Sequence, residues 1–410
     1  MSPQLLDIKK HGIYTDLVRK FIAEGHEIYI IVPFERRTGK KTAFYRQDGV
    51  SVLGVRTLNL MKTNVVEKGI GQVLLESQFK AAFKKYLADV KFDLVLYSTP
   101  PITFSNVIAY VKRKNPKAVS YLMLKDIFPQ NAVDIGMMTG KPVQGSWFKV
   151  KGWVARGQYL LYKSFRKKEK QLYKVSDWIG CMSPANVKYV IDHNPEVDAS
   201  RVEVCPNSYE IVPVEQKTDK SAILWKYGLP TDKPFFIYGG NLGKPQGIPF
   251  LIECLKANAE RDDCHFVVVG NGFEYPRIEK WVNEENPKSV SLFNYLPKED
   301  YDQLADACDV GLIFLDYRFT IPNYPSRLLP YLMAKKPIIA CTDPNCDTGS
   351  IAEENGYGFW CPSNSVDAFT KAVDRMLSSD IKEMGEKGYQ YYLDNYTVEH
   401  TYKAIVSHLV

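Results

Sequence analysis

Phe235-Phe236-Ile237-Tyr238-Gly239-Gly240-Asn241-Leu242-Gly243-Lys244-Pro245-Gln246-Gly247-Ile248 is an apolar run that breaks into a glycine-rich turn and then into an apolar-periodic segment. A buried strand running through a short turn into a helix is the unit from which doubly wound parallel sheets are built. Glycine at 239, 240 and 243 removes the side chains that keep a ligand away from backbone N–H groups, and the helix that follows adds positive potential at its start. Lys244 sets a cation at the same turn, suited to a diphosphate. Leu242 and Lys244 break the G-x-G-x-x-G spacing, so the turn serves equally well as a tight strand-to-helix connection.

The rhythm continues in both directions. Downstream, strands are expected over 235–238, 266–269, 290–293, 310–315 and 337–340. Helices are expected over 247–258, 274–283, 298–307, 326–333, 366–377, 381–392 and 398–409. Upstream, strands over 28–32, 94–97, 119–124, 178–182 and 202–205 accompany helices over 14–24 and 184–192. Pro213, Lys217, Thr218 and Pro230 mark residues 211–231 as a linker with a small helix. The expectation is α/β: two tandem doubly wound Rossmann-like domains, over 1–212 and 213–394, with a final helix over 395–410 returning to the first. Residues 4–8, beside Lys9-Lys10, are too short for a central strand, so either the start at Met1 lies inside a longer reading frame or the first domain tolerates the loss of its opening strand.

Two more turns stand at strand ends. Gly270-Asn271-Gly272 follows 266–269, where a positive φ or a ligand explains the glycines equally. Pro325 and Ser326 open the helix over 326–333, with Ser326 a good N-cap and Arg327 next to it.

Composition narrows the class. The 410 residues carry 53 Lys+Arg and 47 Asp+Glu. Residues 1–215 hold 33 basic against 20 acidic groups, leaving 20 against 27 in 216–410. A basic first half points to an anionic partner. Apolar runs fall far short of a membrane span, and no signal peptide is visible, which favours a reducing cytoplasm. The eight cysteines form no C-x-x-C pair, so no metal or redox motif is read. No nucleic-acid-binding signature appears.

Tyr238 to Gly247, then Val267-Val268-Val269-Gly270-Asn271-Gly272, then residues 325–340 (Pro-Ser-Arg-Leu-Leu-Pro-Tyr-Leu-Met-Ala-Lys-Lys-Pro-Ile-Ile-Ala) occur in the order found in donor domains of family-4 glycosyltransferases. Gly12 with Glu24-Gly25-His26-Glu27, Lys125-Asp126-Ile127-Phe128-Pro129-Gln130 and Pro206-Asn207-Ser208 resemble that family's first domain, in its capsule and exopolysaccharide subgroup. The resemblance covers nearly the whole chain. It implies a GT-B fold with the two domains facing a cleft, a retaining sugar transfer from a nucleotide diphosphate, and no metal or other cofactor.

By resemblance, Gly240, Asn241, Lys244 and Gln246 line the donor diphosphate. Gly270, Asn271 and Gly272 flank the nucleotide or sugar, Phe293 and Tyr295 meet the base, and Tyr324, Pro325, Ser326 and Arg327 meet the sugar diphosphate. Gly12 and His11 face the donor from the first domain, and Asp126 stands on the acceptor side. The family's two glutamates, eight positions apart, are Pro322 and Pro330 here, which removes the side-chain acceptor for the ribose.

Asp126 suits either an acceptor hydroxyl or the N-cap of the next helix, and His11 either a sugar or a structural role. A stretch from Trp147 to Lys174 interleaves Lys149, Arg156, Lys163, Arg166, Lys167 and Lys168 with Trp147, Trp153 and other aromatics. It suits an anionic membrane surface, as a peripheral protein at the inner face of the plasma membrane, or a solvated helix with its aromatics inward. The expected partners are a nucleotide sugar, a glycan or lipid-linked acceptor and that surface. The rival readings are a non-catalytic glycosyltransferase-like subunit or scaffold and a nucleotide-sugar epimerase.

Overall fold

The computed structural model describes residues 7–60, 63, 65–141, 150–211 and 219–409. Two compact units emerge: Met1–Ile211 with Thr397–Val410, and Val212–Tyr396. In chain order the elements are α1 (Ile13–Ala23), β1 (Tyr29–Glu35), β2 (Ala43–Gln47), β3 (Val50–Thr57), α2 (Val65–Tyr86), β4 (Leu94–Ser98), α3 (Ser105–Lys114), β5 (Val119–Leu124), α4 (Gln130–Asp134), α5 (Val150–Val175), β6 (Trp178–Cys181), α6 (Pro184–His193) and β7 (Val202–Val204). The second unit holds α7 (Lys220–Lys226), β8 (Phe235–Gly239), α8 (Ile248–Ala257), β9 (His265–Val269), α9 (Tyr275–Glu285), β10 (Val290–Phe293), α10 (Lys298–Ala307), β11 (Val310–Phe314), α11 (Leu328–Met333), β12 (Ile338–Thr342), α12 (Thr348–Glu354), β13 (Gly358–Pro362), α13 (Val366–Leu377) and α14 (Ile381–Asn395). The final helix, α15 (Val398–Val406), belongs to the first unit.

The second unit is one six-stranded parallel sheet in the order β10-β9-β8-β11-β12-β13. Every residue of β8, β9, β11 and β12 is buried. That is why these strands read as unbroken apolar runs, since helices cover both faces of such a sheet. Phe236, Tyr238, Phe266, Phe314 and Phe369 fill its core. The strand order reverses between β8 and β11, the position where open α/β sheets bind ligands beyond their carboxyl ends. The turn after β8 stands there.

The first unit has two sheets, β1-β3-β2 and β4-β5-β6-β7. β2 and β3 form an antiparallel hairpin on Asp48-Gly49, both with positive φ (49° and 87°), the signature of a two-residue primed turn. Helices α1 and α15 cover one face, with Leu17, Phe21, Tyr121, Met123, Val398 and Ile405 in one cluster. Tyr209 bridges to Thr397, and the Thr401 hydroxyl bonds Ser208 Oγ at 2.7 Å, which seats α15. The eight cysteines are all buried and free, acting as small apolar side chains.

Among the described residues no strand precedes α1, and β1 and β4 each end their sheet. A cavity of about 420 Å³ is lined by both, by Phe83 of α2 and by Phe104 and Val107. Leu96 on β4 is therefore only half-buried, whereas Leu122 on the neighbouring β5 is fully buried. Leu122→Ala is expected to cost about 3 kcal/mol and Leu96→Ala about 1 kcal/mol, because the second side chain already borders empty space. Urea unfolding of the two variants measures the difference.

Candidate functional site

In the second unit the turns after β8 and β9 are zipped together. The N–H of Gly240 donates to Val269 O (2.9 Å), that of Leu242 to Asn271 O (2.9 Å) and that of Glu274 to Leu242 O (3.0 Å). A Cβ at Gly270 would stand 1.9 Å from Gly240 O, and one at Gly272 would stand 2.4 Å from Leu242 O. Gly270, Asn271 and Gly272 thus have a structural duty, the close approach of one turn to the other. Gln246 Oε1 accepts from the Gly243 N–H and from Asn241 Nδ2, both at 3.2 Å, so Asn241 and Gln246 brace the turn. Lys244 is exposed beside them.

Arg327 completes this edge. Its guanidinium lies 4.5 Å from the centre of the Tyr238 ring and next to the open side of Gly240. Burial works against its charge, but Tyr238 and Tyr331 hold its pKa above the ordinary value. Its Nη1 is buried with no hydrogen-bond partner. Tyr331 donates to Ile237 O (3.0 Å) and accepts from the Gly239 N–H, while Tyr238 donates to Asn241 O (2.9 Å). These phenols, given no role in the sequence motifs that contain them, fix both the turn and the arginine. Their helical or strand spacing alone does not distinguish them from core aromatics.

The neighbouring turn differs from expectation. α11 starts at Leu328, and Ser326 is exposed without capping it, because Pro325 and Ser326 instead form a tight turn closed by Leu328 N–H to Pro325 O (3.1 Å). The Tyr324 phenol is hydrogen-bonded to that of Tyr396, which leaves only its backbone for a ligand. Pro322 is buried, and Pro330 is exposed on α11. Phe293 is half-buried against Tyr227, with ring centres 5.5 Å apart. Tyr295 is 71% exposed, and Phe273, a residue the sequence reading passed over, is 83% exposed. Large exposed aromatics on the loops after adjacent strands offer flat faces to a base or sugar.

The first unit has its own cluster at the carboxyl ends of β4 and β5. The Thr99 hydroxyl accepts from the N–H of Lys125 (3.1 Å) and of Asp126 (3.2 Å) and donates to Asp126 O (3.1 Å). Asp126 caps no helix: α4 begins four residues later, behind Pro129. Burial raises the Asp126 pKa, against the pull of Lys125. Lys125 lies 4.0 Å from the Tyr14 ring centre, its Nζ is buried without a hydrogen-bond partner, and burial lowers its pKa to about 7. Gly12 precedes α1 with extended backbone (φ 172°), and the His11 ring lies 4.8 Å from that of Tyr209.

The basic helix is α5, and its residues divide. Arg166 pairs with Glu169 and bonds His193 O (3.0 Å) and Asn194 Oδ1 (2.9 Å), and Lys168 pairs with Glu76 at 3.4 Å. These two cations are tied into the fold: Arg166 is the counter-charge of Glu169, which is 2% exposed, and Lys168 answers Glu76. Lys163 and Lys167 are exposed, with Val154 (57%), Leu160 (66%) and Leu161 (46%), while Arg156 is half-buried. Trp147 and Lys149 lie outside the described residues, as does the side chain of Trp153. No described helix is long and apolar enough to cross a membrane.

Lys125 carries a pH prediction. A lysine whose folded pKa is lowered binds fewer protons folded than unfolded, so its penalty is complete below about pH 7 and fades as pH rises towards the unfolded value. Lys125→Met is therefore expected to raise the melting temperature more at pH 6 than at pH 10, as thermal melts at the two pH values will read.

Residues 219–391, within the second unit, match the family described as "Glycosyl transferases group 1". A protein named as a glycosyltransferase, WbjE of Pseudomonas aeruginosa, is 22% identical over 337 residues, 79% of this chain and 75% of that one. WcaI of Escherichia coli (strain K12), named for colanic acid biosynthesis, is 30% identical over 188 residues, 44% of this chain and 45% of that one. Sucrose-phosphate synthase from Thermosynechococcus elongatus superposes with a TM-score of 0.70 at 15% identity, covering 96% of this chain and 91% of the other. Anabaena Alr3699/HepE, solved in complex with UDP-glucose, gives 0.59 at 13% identity over 87% and 85%. At such identities the likeness shows the fold: mixed α/β with parallel sheets, of the GT-B kind with two Rossmann-like domains.

Proposed function

We propose that the protein is a retaining, family-4-like glycosyltransferase. It moves a sugar from a nucleotide diphosphate to a lipid-linked glycan in the synthesis of capsule or exopolysaccharide. The observation that carries this is the unpartnered, buried Nη1 of Arg327 beside the Gly240 turn, at the strand-order reversal of a group 1 glycosyl transferase domain. An orphaned cationic donor at a glycine-lined strand end suits a diphosphate oxygen. Lys244 supplies a second, exposed cation, and the backbone N–H groups of Asn241 and Ser326 supply neutral donors beside the open face of Gly240. The diphosphate leaving group is stabilised by these groups without a metal or other cofactor.

Tyr295 and Phe293 meet the base, and Gly270 and Gly272 shape its floor. Asp126, its pKa raised by burial, accepts the proton of the acceptor hydroxyl as the glycosidic bond forms. His11 and Gly12 act on the sugar from the first unit. The solved relative with UDP-glucose makes a uridine nucleotide the first donor to test.

Calorimetry with UDP-sugars and other nucleotide sugars is expected to show binding that falls about tenfold in Lys244→Ala and 10- to 100-fold in Arg327→Met, since a charge-assisted hydrogen bond is worth about 1.5–3 kcal/mol. No binding to any nucleotide sugar rejects the proposal. Pro322 and Pro330, where side-chain acceptors for ribose are expected, favour a second reading: a donor-binding subunit without turnover. Binding without transfer to any lipid-linked acceptor supports it.

We also assign the protein to the cytoplasmic face of the plasma membrane, through the exposed basic and apolar residues of α5. Each such cation contributes about 1 kcal/mol near an anionic surface. Flotation with phosphatidylglycerol vesicles is expected at low salt and is expected to weaken at least tenfold in Lys163→Glu/Lys167→Glu. Protein that remains at the bottom of the gradient at low salt refutes the assignment.

A further inference from the structure

His11 sits one residue ahead of the α1 N-cap, and Asp16 lies in that helix's first turn. The Asp16 side chain has no exposed surface, yet its carboxylate is surrounded by donors. Oδ1 accepts from the Gly12 N–H at 2.8 Å and from Arg19 Nη2 at 2.6 Å. Oδ2 accepts from the Glu210 N–H at 2.9 Å and lies 2.8 Å from His11 Nδ1, a close contact outside good hydrogen-bond alignment. Burial alone would raise the Asp16 pKa, but the close approach of His11 and the N–H groups of Gly12 and Glu210 outweigh it and hold the carboxyl below its usual value. An ionised carboxylate accepts and cannot donate. The nitrogen facing it must therefore carry a proton, and the neutral imidazole is driven into its Nδ1–H form.

His11, Asp16 and Glu210 come together closely enough to suggest a cation site. Arg19 answers their charge instead: its Nη2 lies 2.6 Å from both Asp16 Oδ1 and Glu210 Oε2, and its Nη1 reaches Ile8 O and Lys10 O (3.1 Å). The same guanidinium thus pins the loop that carries His11. Tyr209 closes one side of the ring, and the His11 side chain keeps 30% of its surface exposed. Among the described residues nothing hydrogen-bonds Nε2, which is the ring nitrogen left for a ligand.

We propose that Asp16 is the positioning residue for His11: it fixes the imidazole as the Nδ1–H tautomer and presents Nε2 as a hydrogen-bond acceptor to a sugar hydroxyl. The sugar hydroxyl rests on the glycosyltransferase reading; the tautomer does not. A buried carboxylate that merely stabilised α1 would need only the Gly12 and Arg19 contacts. The second oxygen holds the Glu210 N–H and also sets a negative charge 2.8 Å from Nδ1, which favours a proton on that ring nitrogen.

Long-range ¹H–¹⁵N correlation spectra of the full chain at about pH 9, above the ordinary imidazole range, read the tautomer, with the His11→Gln spectrum assigning the signal. The expected result is a protonated Nδ1 and an unprotonated Nε2 in the wild type, and a shift towards Nε2–H in Asp16→Asn. A wild-type His11 held as Nε2–H, or a folded Asp16→Asn with an unchanged signal, overturns the proposal. The wild-type spectrum decides even where the variant fails to fold. In transfer assays Asp16→Asn is expected to lower kcat about 10- to 100-fold with donor affinity within twofold, since loss of an orienting partner acts on geometry. A donor affinity that falls in step with kcat would mark Asp16 as structural. Absence of transfer in the wild type would reject the glycosyltransferase reading while leaving the tautomer result standing.

Discussion

The approach of the turn after β9 to the turn after β8 is the constraint on which the second unit's glycine-lined strand ends depend. Three backbone hydrogen bonds cross between them, and the carbonyls of Gly240 and Leu242 occupy the space that side chains at 270 and 272 would need. This contact sets the path of residues 240–247. That path determines where Lys244 is exposed, how Gln246 braces Asn241, and which side of Gly240 is left open for Arg327. The phenols of Tyr238 and Tyr331 act on the same stretch from below. Turns cross-braced this way need little further ordering to meet the proposed donor, which lowers the entropic cost of binding it.

Buried charge is handled differently at four places, and the differences are informative. Asp16 is surrounded by donors and stays ionised, which suits the proposed orienting of His11. Lys125 and Asp126 are poorly satisfied, and burial pushes both towards neutrality, so their function is chemical or they are a standing cost to stability. Arg327 cannot discharge, so its orphaned N–H is a standing demand for an acceptor. Glu169 belongs to a fourth pattern, a purely structural ion pair with Arg166, and it removes that arginine from the set of membrane-facing cations.

The strand and helix rhythm of the second unit was readable because strands buried on both faces have no alternation to hide them and end in glycine turns. The first unit was less legible. Its β2–β3 hairpin carries the Asp48-Gly49 turn signal, but the flanking residues vary in burial too irregularly for a period of two to stand out. α2 was missed because its apolar residues surround the helix instead of forming a stripe. β13, Gly358 to Pro362, begins with glycine and ends with proline and is defined by its pairing with β12. For the site, the glycine turns, Lys244 and Arg327 were visible as residue types. Asp16, Arg19, Glu210 and Lys125 were not, since their meaning lies in partners up to 194 positions away.

By itself the sequence determined what periodicity and composition can carry: a parallel α/β chain, its glycine-turn strand ends, a basic first half with an aromatic helix, and cysteines without a motif. Tertiary structure alone decided which polar groups are satisfied. It separated Arg166 and Lys168 from Lys163 and Lys167, turned the Tyr324 phenol inward to Tyr396, and gave Gly270 and Gly272 a steric reason. It also joined His11 to a carboxylate one helical turn away and to the segment at 209–210. The physical reason is that apolar burial depends on local pattern and averages over many residues, whereas a hydrogen bond or an ion pair depends on a few tenths of an ångström between groups that only the folded chain brings together.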